Sequence, residues 1–270
     1  MGMDPVGHHH NLTIAGAGGT TLLFAHGYGC DQDMWRLVLP GLAASHRVAA
    51  FDHAGCGRRG LVPWDQRRHA TLDGYAEDVV GLIRRSGLAP VIHVGHSVSA
   101  MIGVLACARA PELFRGLVMI GPSPCYLDDG DYRGGFSRQD IEGLLAALDA
   151  NHASWAAALA PRIMGNLHRP ELAEELAQSF CRMDPIAARG FARATFTADN
   201  RRDLAGVRIP TLIMQCSDDA IAGEQVGRYV HAAIAHSEFV KLAATGHCPN
   251  LSAPLEVVAA LRGWLERIND

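Results

Sequence analysis

Short runs of apolar, β-favouring residues recur along the chain at 21–26, 48–51, 91–95, 117–120, 211–215 and 238–242. Continuous apolar runs of this length, bounded by Gly, Pro and Asp, predict strands buried on both faces. Between them the period changes. In 73–86, Tyr75, Val79, Leu82 and Ile83 fall on one helical face, and a second amphipathic stretch occupies 222–235. This alternation predicts an α/β protein with a mostly parallel sheet flanked by helices. It stops between Pro122 and Leu204, where helical periods at 137–151, 152–164, 170–181 and 185–197 follow one another without a strand. The expected organisation is a single domain over 1–270, with a core at about 10–121 and 205–270 and a helical lid insertion at about 122–204. Pro254 opens a last helix that runs to Ile268, proline being suited to a first helical turn.

Composition narrows the functional classes. Of 270 residues 49% are hydrophobic and 19% charged, which fits a folded domain and excludes a disordered chain. The formal net charge of -4 comes without a basic block, so neither a nucleic acid nor a membrane surface is an expected partner. No apolar run approaches the ~20 residues of a membrane span, and the first thirty positions lack the layout of an export signal. A cytoplasmic location is the expectation. The seven cysteines are scattered without a CxxC pair, which predicts reduced thiols and no zinc site. His8, His9 and His10 read as a surface arm rather than a metal site.

The chemistry concentrates at strand ends. Gly95-His96-Ser97-Val98-Ser99 joins a predicted strand to a predicted helix, the context of a nucleophile elbow, in which small neighbours let strand and helix close on a strained serine. Gly95 fits; Ser99 stands where a second glycine is usual. A serine hydroxyl needs a base to take its proton and an acid to orient that base. Asp218 and Asp219 follow the strand at 211–215, and His247 follows the strand at 238–242, both at the edge where parallel sheets gather ligand groups. His96, next to the serine along a strand, is expected to pack elsewhere. Gly27-Tyr28 ends an early strand, and by position the backbone N–H groups of Tyr28 and Val98 are the candidate oxyanion donors. Cys125, Cys216 and Cys248 read as small buried residues.

Several motifs carry a resemblance over most of the chain. They are Gly27-Tyr28-Gly29-Cys30-Asp31-Gln32, Thr71-Leu72-Asp73-Gly74-Tyr75-Ala76-Glu77-Asp78-Val79, Gly95-His96-Ser97-Val98, Ile120-Gly121-Pro122-Ser123-Pro124-Cys125-Tyr126-Leu127, Gln215-Cys216-Ser217-Asp218-Asp219 and Gly246-His247-Cys248-Pro249. In these the sequence resembles α/β hydrolases of the RsbQ-like family, relatives of the plant karrikin and strigolactone receptors. The resemblance implies a sheet of about eight strands, a four-helix lid and a hydrophobic pocket beneath it. It places the nucleophile on Ser97, the base on His247 and the acid on Asp219, with no cofactor and no metal. The implied reaction is serine hydrolysis of a small apolar ester or lactone-like ligand. The alternative is a sensor that engages a signalling protein partner through the lid. Phe136, Trp155, Phe191 and Phe196 of the lid, with Tyr28 from the core side, are candidates to line the pocket or simply to pack the helices. Arg58-Arg59 departs from the small polar residue usual there.

Overall fold

The computed structural model describes residues 10–57 and 63–269; Arg58-Arg59, His8 and His9 lie outside them. The elements are, in chain order, β1 (Thr13–Ala15), β2 (Thr21–Ala25), α1 (Leu39–Ala43), β3 (Arg47–Phe51), α2 (Leu72–Ser86), β4 (Val91–His96), α3 (Val98–Arg109) and β5 (Phe114–Ile120). Four helices follow without a strand: α4 (Arg138–Ala150), α5 (His152–Met164), α6 (Pro170–Arg182) and α7 (Pro185–Phe196). The alternation then resumes with β6 (Thr211–Asp218), α8 (Glu224–Ala233), β7 (Ser237–Thr245), α9 (Pro249–Ser252) and α10 (Pro254–Asn269). The sheet order is β1-β3-β2-β4-β5-β6-β7, with every neighbouring pair parallel except β1 with β3. Against the eight strands that the resemblance implies, the described residues form seven. The unforeseen β1 is three exposed residues, too short and too solvated to leave a hydrophobic signature.

The continuous apolar runs are strands because both faces are covered. Leu22 and Phe24, Ile92 and Val94, and Leu212 and Met214 point into one core with α10 and the four-helix segment. Their neighbours Leu23, Ala25, Val91 and Ile213 point into the other, with α2 and α3, the two-residue period of a strand. Local signals set the helix ends. Gly87, at φ 62°, takes the left-handed conformation that stops α2. Ser137 and Asp140 form a reciprocal capping box at the start of α4. Asp184 accepts from the amides of Ile186 and Ala187 ahead of Pro185 in α7. His10 is buried, not a surface arm: its Nδ1 lies 2.9 Å from the carbonyl of Asp52.

Candidate active site

Strand order decides where the site forms. From β2 the chain crosses to β3 on one side and later to β4 on the other, which leaves a crevice at the carboxyl ends of β2 and β4. Gly27 and Tyr28 follow β2, and Ser97 follows β4. Ser97 takes φ 56° and ψ -122°, a conformation that costs roughly 1–3 kcal/mol for a residue with a side chain. The strand-to-helix turn is tight enough that a Cβ on Gly95 would fall 2.4 Å from the carbonyl oxygen of Ser99. Gly27 is fixed by the opposite wall, since a Cβ there would lie 2.6 Å from His96 Nδ1 and 3.3 Å from Ser97 Cβ. The turn after β2 therefore rides directly against the serine.

Three side chains from three strand ends meet in one hydrogen-bonded line. His247 Nε2 lies 2.8 Å from Ser97 Oγ, and His247 Nδ1 lies 2.7 Å from Asp219 Oδ2. All three residues are buried. The second carboxylate oxygen of Asp219 accepts from the amides of Ile221 at 2.8 Å and Ala222 at 3.0 Å. Burial pushes the Asp219 carboxyl up. His247 and the two amides more than offset this and hold its pKa below the ordinary value, so it stays an anion. Asp218 is exposed, and its backbone carbonyl accepts from Gly246 N–H at 2.7 Å. The aspartate pair thus divides into a buried partner of His247 and a solvated strand end.

His96 does not pack elsewhere as its place along the chain implies. It lines the cavity over Ser97, and its Nε2 donates to the carbonyl of His247 at 2.7 Å. Burial, then the neighbouring His247, lowers its pKa to about 3, so it is a neutral donor that holds the His247 loop. The three cysteines near the site are held as thiols: burial pushes Cys216 and Cys248 well up and Cys125 up. The described residues hold no cluster of three or more His, Cys, Asp or Glu side chains suited to a metal ion.

The cavity over Ser97 measures about 30 Å³ and is walled by Tyr28, Cys30, Tyr126, Leu159, Leu176 and Phe196, among others. A wider groove of about 680 Å³ runs between α4 and α5, lined by Phe136, Trp155 and Arg162 and sharing Leu159 and Ile221 with the cavity. Of the five candidate pocket residues, Tyr28 and Phe196 therefore reach the cavity, and Phe136 and Trp155 reach the groove. Phe191 is corrected to a packing residue. It is fully buried and stacked on Tyr75 with centroids 4.2 Å apart, because that face of α7 turns to α2. Tyr126, whose hydroxyl is 3.5 Å from Ser97 Oγ, was not among the candidates. Burial raises its pKa to about 12, so it remains a phenol. The aliphatic wall of Leu159, Ile163 and Leu176 carries no signal that separates it from ordinary helix packing.

Comparison with known proteins shows the family. A family model described as "Alpha/beta hydrolase family" matches residues 22–261. The chain is 36% identical over 253 residues to the Karrikin insensitive 2 receptor CA of Petunia hybrida, covering 93% of this chain and 94% of the relative. It is 36% identical over 258 residues to the strigolactone esterase D14 of Arabidopsis thaliana, covering 95% and 96%. A solved hydrolase from Oleispira antarctica superposes with a TM-score of 0.94 at 39% identity, covering 97% of this chain and 96% of that one. Matched along nearly its whole length, with a serine elbow and a histidine and carboxylate at the expected strand ends, the chain belongs to the alpha/beta hydrolase family.

Proposed function

We propose that the protein is a serine hydrolase of the esterase or lactonase type, acting on a small apolar carbonyl compound. The observation that carries this reading is the buried line from Ser97 through His247 to Asp219, closed at 2.8 and 2.7 Å behind a positive-φ elbow. Ser97 Oγ attacks the carbonyl carbon while His247 Nε2 takes its proton. Asp219 holds the Nδ1–H and stabilises the imidazolium that forms. The oxyanion is received by the backbone N–H groups of Tyr28 and Val98, residues flanking the serine from the turn after β2 and the first turn of α3. His247 then returns the proton to the leaving oxygen, and water, deprotonated by the same nitrogen, releases the acyl group. Nothing in this sequence of steps draws on a metal or cofactor.

The four-helix segment is the lid of this reading: α5, α6 and α7 supply Leu159, Leu176 and Phe196 to the cavity wall. The cavity over Ser97 is small, about 30 Å³, and lid side chains form much of its wall, so an ester seated at Ser97 packs against the lid. Contact between a bound ligand and the lid is what a sensor needs, and a relative named as a receptor supports sensing as the second reading, in which a protein partner would engage the lid. Labelling with a fluorophosphonate separates the readings from their failure. The parent is expected to be modified at Ser97 and to hydrolyse p-nitrophenyl acetate, and Ser97→Ala to lose both, with a kcat loss that reaches ~10⁶-fold in comparable triads. Labelling at another serine would overturn the assignment. Labelling at Ser97 with single-turnover behaviour would move the reading to the sensor.

A further inference from the structure

Ser99 is the departure from the elbow pattern, and its hydroxyl is fully buried with two partners. It donates to the carbonyl of His26 at 2.5 Å and lies 2.7 Å from His53 Nε2. The proton positions follow from counting donors. The carbonyl of His26 can only accept, so it takes the single Ser99 proton, and the bond to His53 needs a proton on Nε2. His53 Nδ1 is then the bare nitrogen, in agreement with its having no partner among the described residues. Burial holds His53 neutral, well below the ordinary histidine range. The same count fixes His26: its Nε2 accepts from the backbone N–H of His53 at 3.0 Å, so its proton is on Nδ1, which donates to Gly27 O at 2.8 Å. One chain of bonds thus joins the turn after β3, the first turn of α3 and the turn after β2. It closes on the two carbonyls that immediately precede Tyr28.

We infer that Ser99 and His53 are positioning residues for the oxyanion hole, tying the turn that presents Tyr28 N–H to the helix turn that presents Val98 N–H. This rests on the serine hydrolase reading above and goes beyond it by assigning a function to the two side chains that fix the hole's geometry. Neither touches the reacting atoms. Ser99 holds the His26 carbonyl directly and His53 Nε2 orients the Ser99 hydroxyl, on a turn whose close approach to Ser97 leaves no room for a Cβ on Gly27. A glycine at position 99 leaves that carbonyl without its hydroxyl partner. The buried Ser99 supplies one, and His53 Nε2 occupies its remaining acceptor capacity.

The test compares an oxyanion-forming ligand with one that forms no oxyanion. Ser99→Ala is expected to lower kcat for p-nitrophenyl acetate by about 10-fold, less than the ~10²–10³ of deleting a donor outright, with KM within about twofold. Affinity for a small trifluoromethyl ketone should fall by the same factor, while affinity for the corresponding secondary alcohol stays unchanged. His53→Leu should reproduce the loss, His53→Gln, which can place an N–H near Nε2, should restore part of it, and Ser99→Ala with His53→Leu should lose no more than either alone. If Ser99→Ala does not fold, His53→Leu and His53→Gln carry the same comparison. Unchanged kcat, equal losses for ketone and alcohol, or multiplying losses in the double variant would overturn the inference alone. Absence of fluorophosphonate labelling at Ser97 in the parent would overturn the hydrolase reading and this inference with it.

Discussion

At the scale of single residues, what distinguishes the two neighbouring aspartates is burial and hydrogen-bond supply. Asp219 turns inward, where two amides and His247 keep it ionised against its burial. Asp218 faces solvent and contributes its backbone carbonyl to the His247 turn. Asp219→Asn is expected to lower kcat by ~10³–10⁴-fold, because an amide stabilises neither the required tautomer nor the imidazolium. Asp218→Asn should stay within about threefold of the parent, as surface changes leave the buried line intact. Parallel p-nitrophenyl acetate assays check the pair, and equal, mild losses would remove Asp219 from the proposed triad. The pair was legible as polar groups at the end of an apolar run, but the run does not tell one aspartate from the other, and the choice of Asp219 is what the family resemblance implies. The pocket was less legible. Helical periodicity marks Phe191 and Phe196 alike as inward, but it does not say which of two cores each one enters, and an aliphatic wall such as Leu159 or Leu176 looks like any helix interior.

Among elements, the four-helix segment does more than roof the cavity. Its α5 ends against the turn after β7: the backbone N–H of His247 donates to the carbonyl of Ile163 at 2.8 Å, one of the carbonyls a helix end leaves without an internal partner. Gly246 permits the approach. At φ 79°, a Cβ there would lie 1.9 Å from the carbonyl oxygen of Met164. Selection and chemistry are therefore linked at this seam, although no member of the proposed triad comes from the segment. Gly246→Ala is expected to lower kcat for every ester alike by shifting His247, and to lower Tm. Trp155→Ala acts elsewhere. The indole stands between groove and cavity, edge-on to Tyr28 at 5.9 Å, so its removal should raise the preference for p-nitrophenyl butyrate over acetate by about 10-fold, with a stability cost of ~3–5 kcal/mol. A graded ester series reads both, and a uniform fall for Trp155→Ala would show that the four-helix segment supports catalysis as a whole. The strands and these helices could be read from the sequence because strands buried on both faces and helices with one apolar stripe have distinct periods. The edge strand β1 could not, since it is three exposed residues with no apolar face to bury.

Across the whole molecule the buried histidines set a limit on acid tolerance. His26, His53, His93 and His96 are all buried, and burial lowers the pKa of each, to about 4 for His93 and about 3 for His96. In the unfolded chain each returns to about 6.5, so between the folded and unfolded values the unfolded state binds more protons and stability falls as the pH falls. The contribution of each is complete above about pH 6.5 and declines below it; for His93 the loss levels off near pH 4 at about 3 kcal/mol. The depressed carboxyl of Asp219 works in the same direction at lower pH, its stabilisation being lost as it is protonated. The protein is therefore expected to lose stability steeply on acidification from pH 7 to 5, before its carboxylates titrate appreciably. His93 isolates the effect, because burial is the one cause of its shift and it takes no part in the hydrogen bonds of Ser97 and His247. In urea titrations from pH 8 to pH 4, His93→Leu should flatten the fall in unfolding free energy by about 1.4 kcal/mol per pH unit over the range where the parent histidine is protonated only on unfolding. Stability of the variant at pH 8 can lie above or below that of the parent without bearing on the slope. A parent midpoint that is constant between pH 7 and 5, or a slope unchanged by His93→Leu, would show that these side chains take up protons in the folded state through an opening the closed packing around them does not provide.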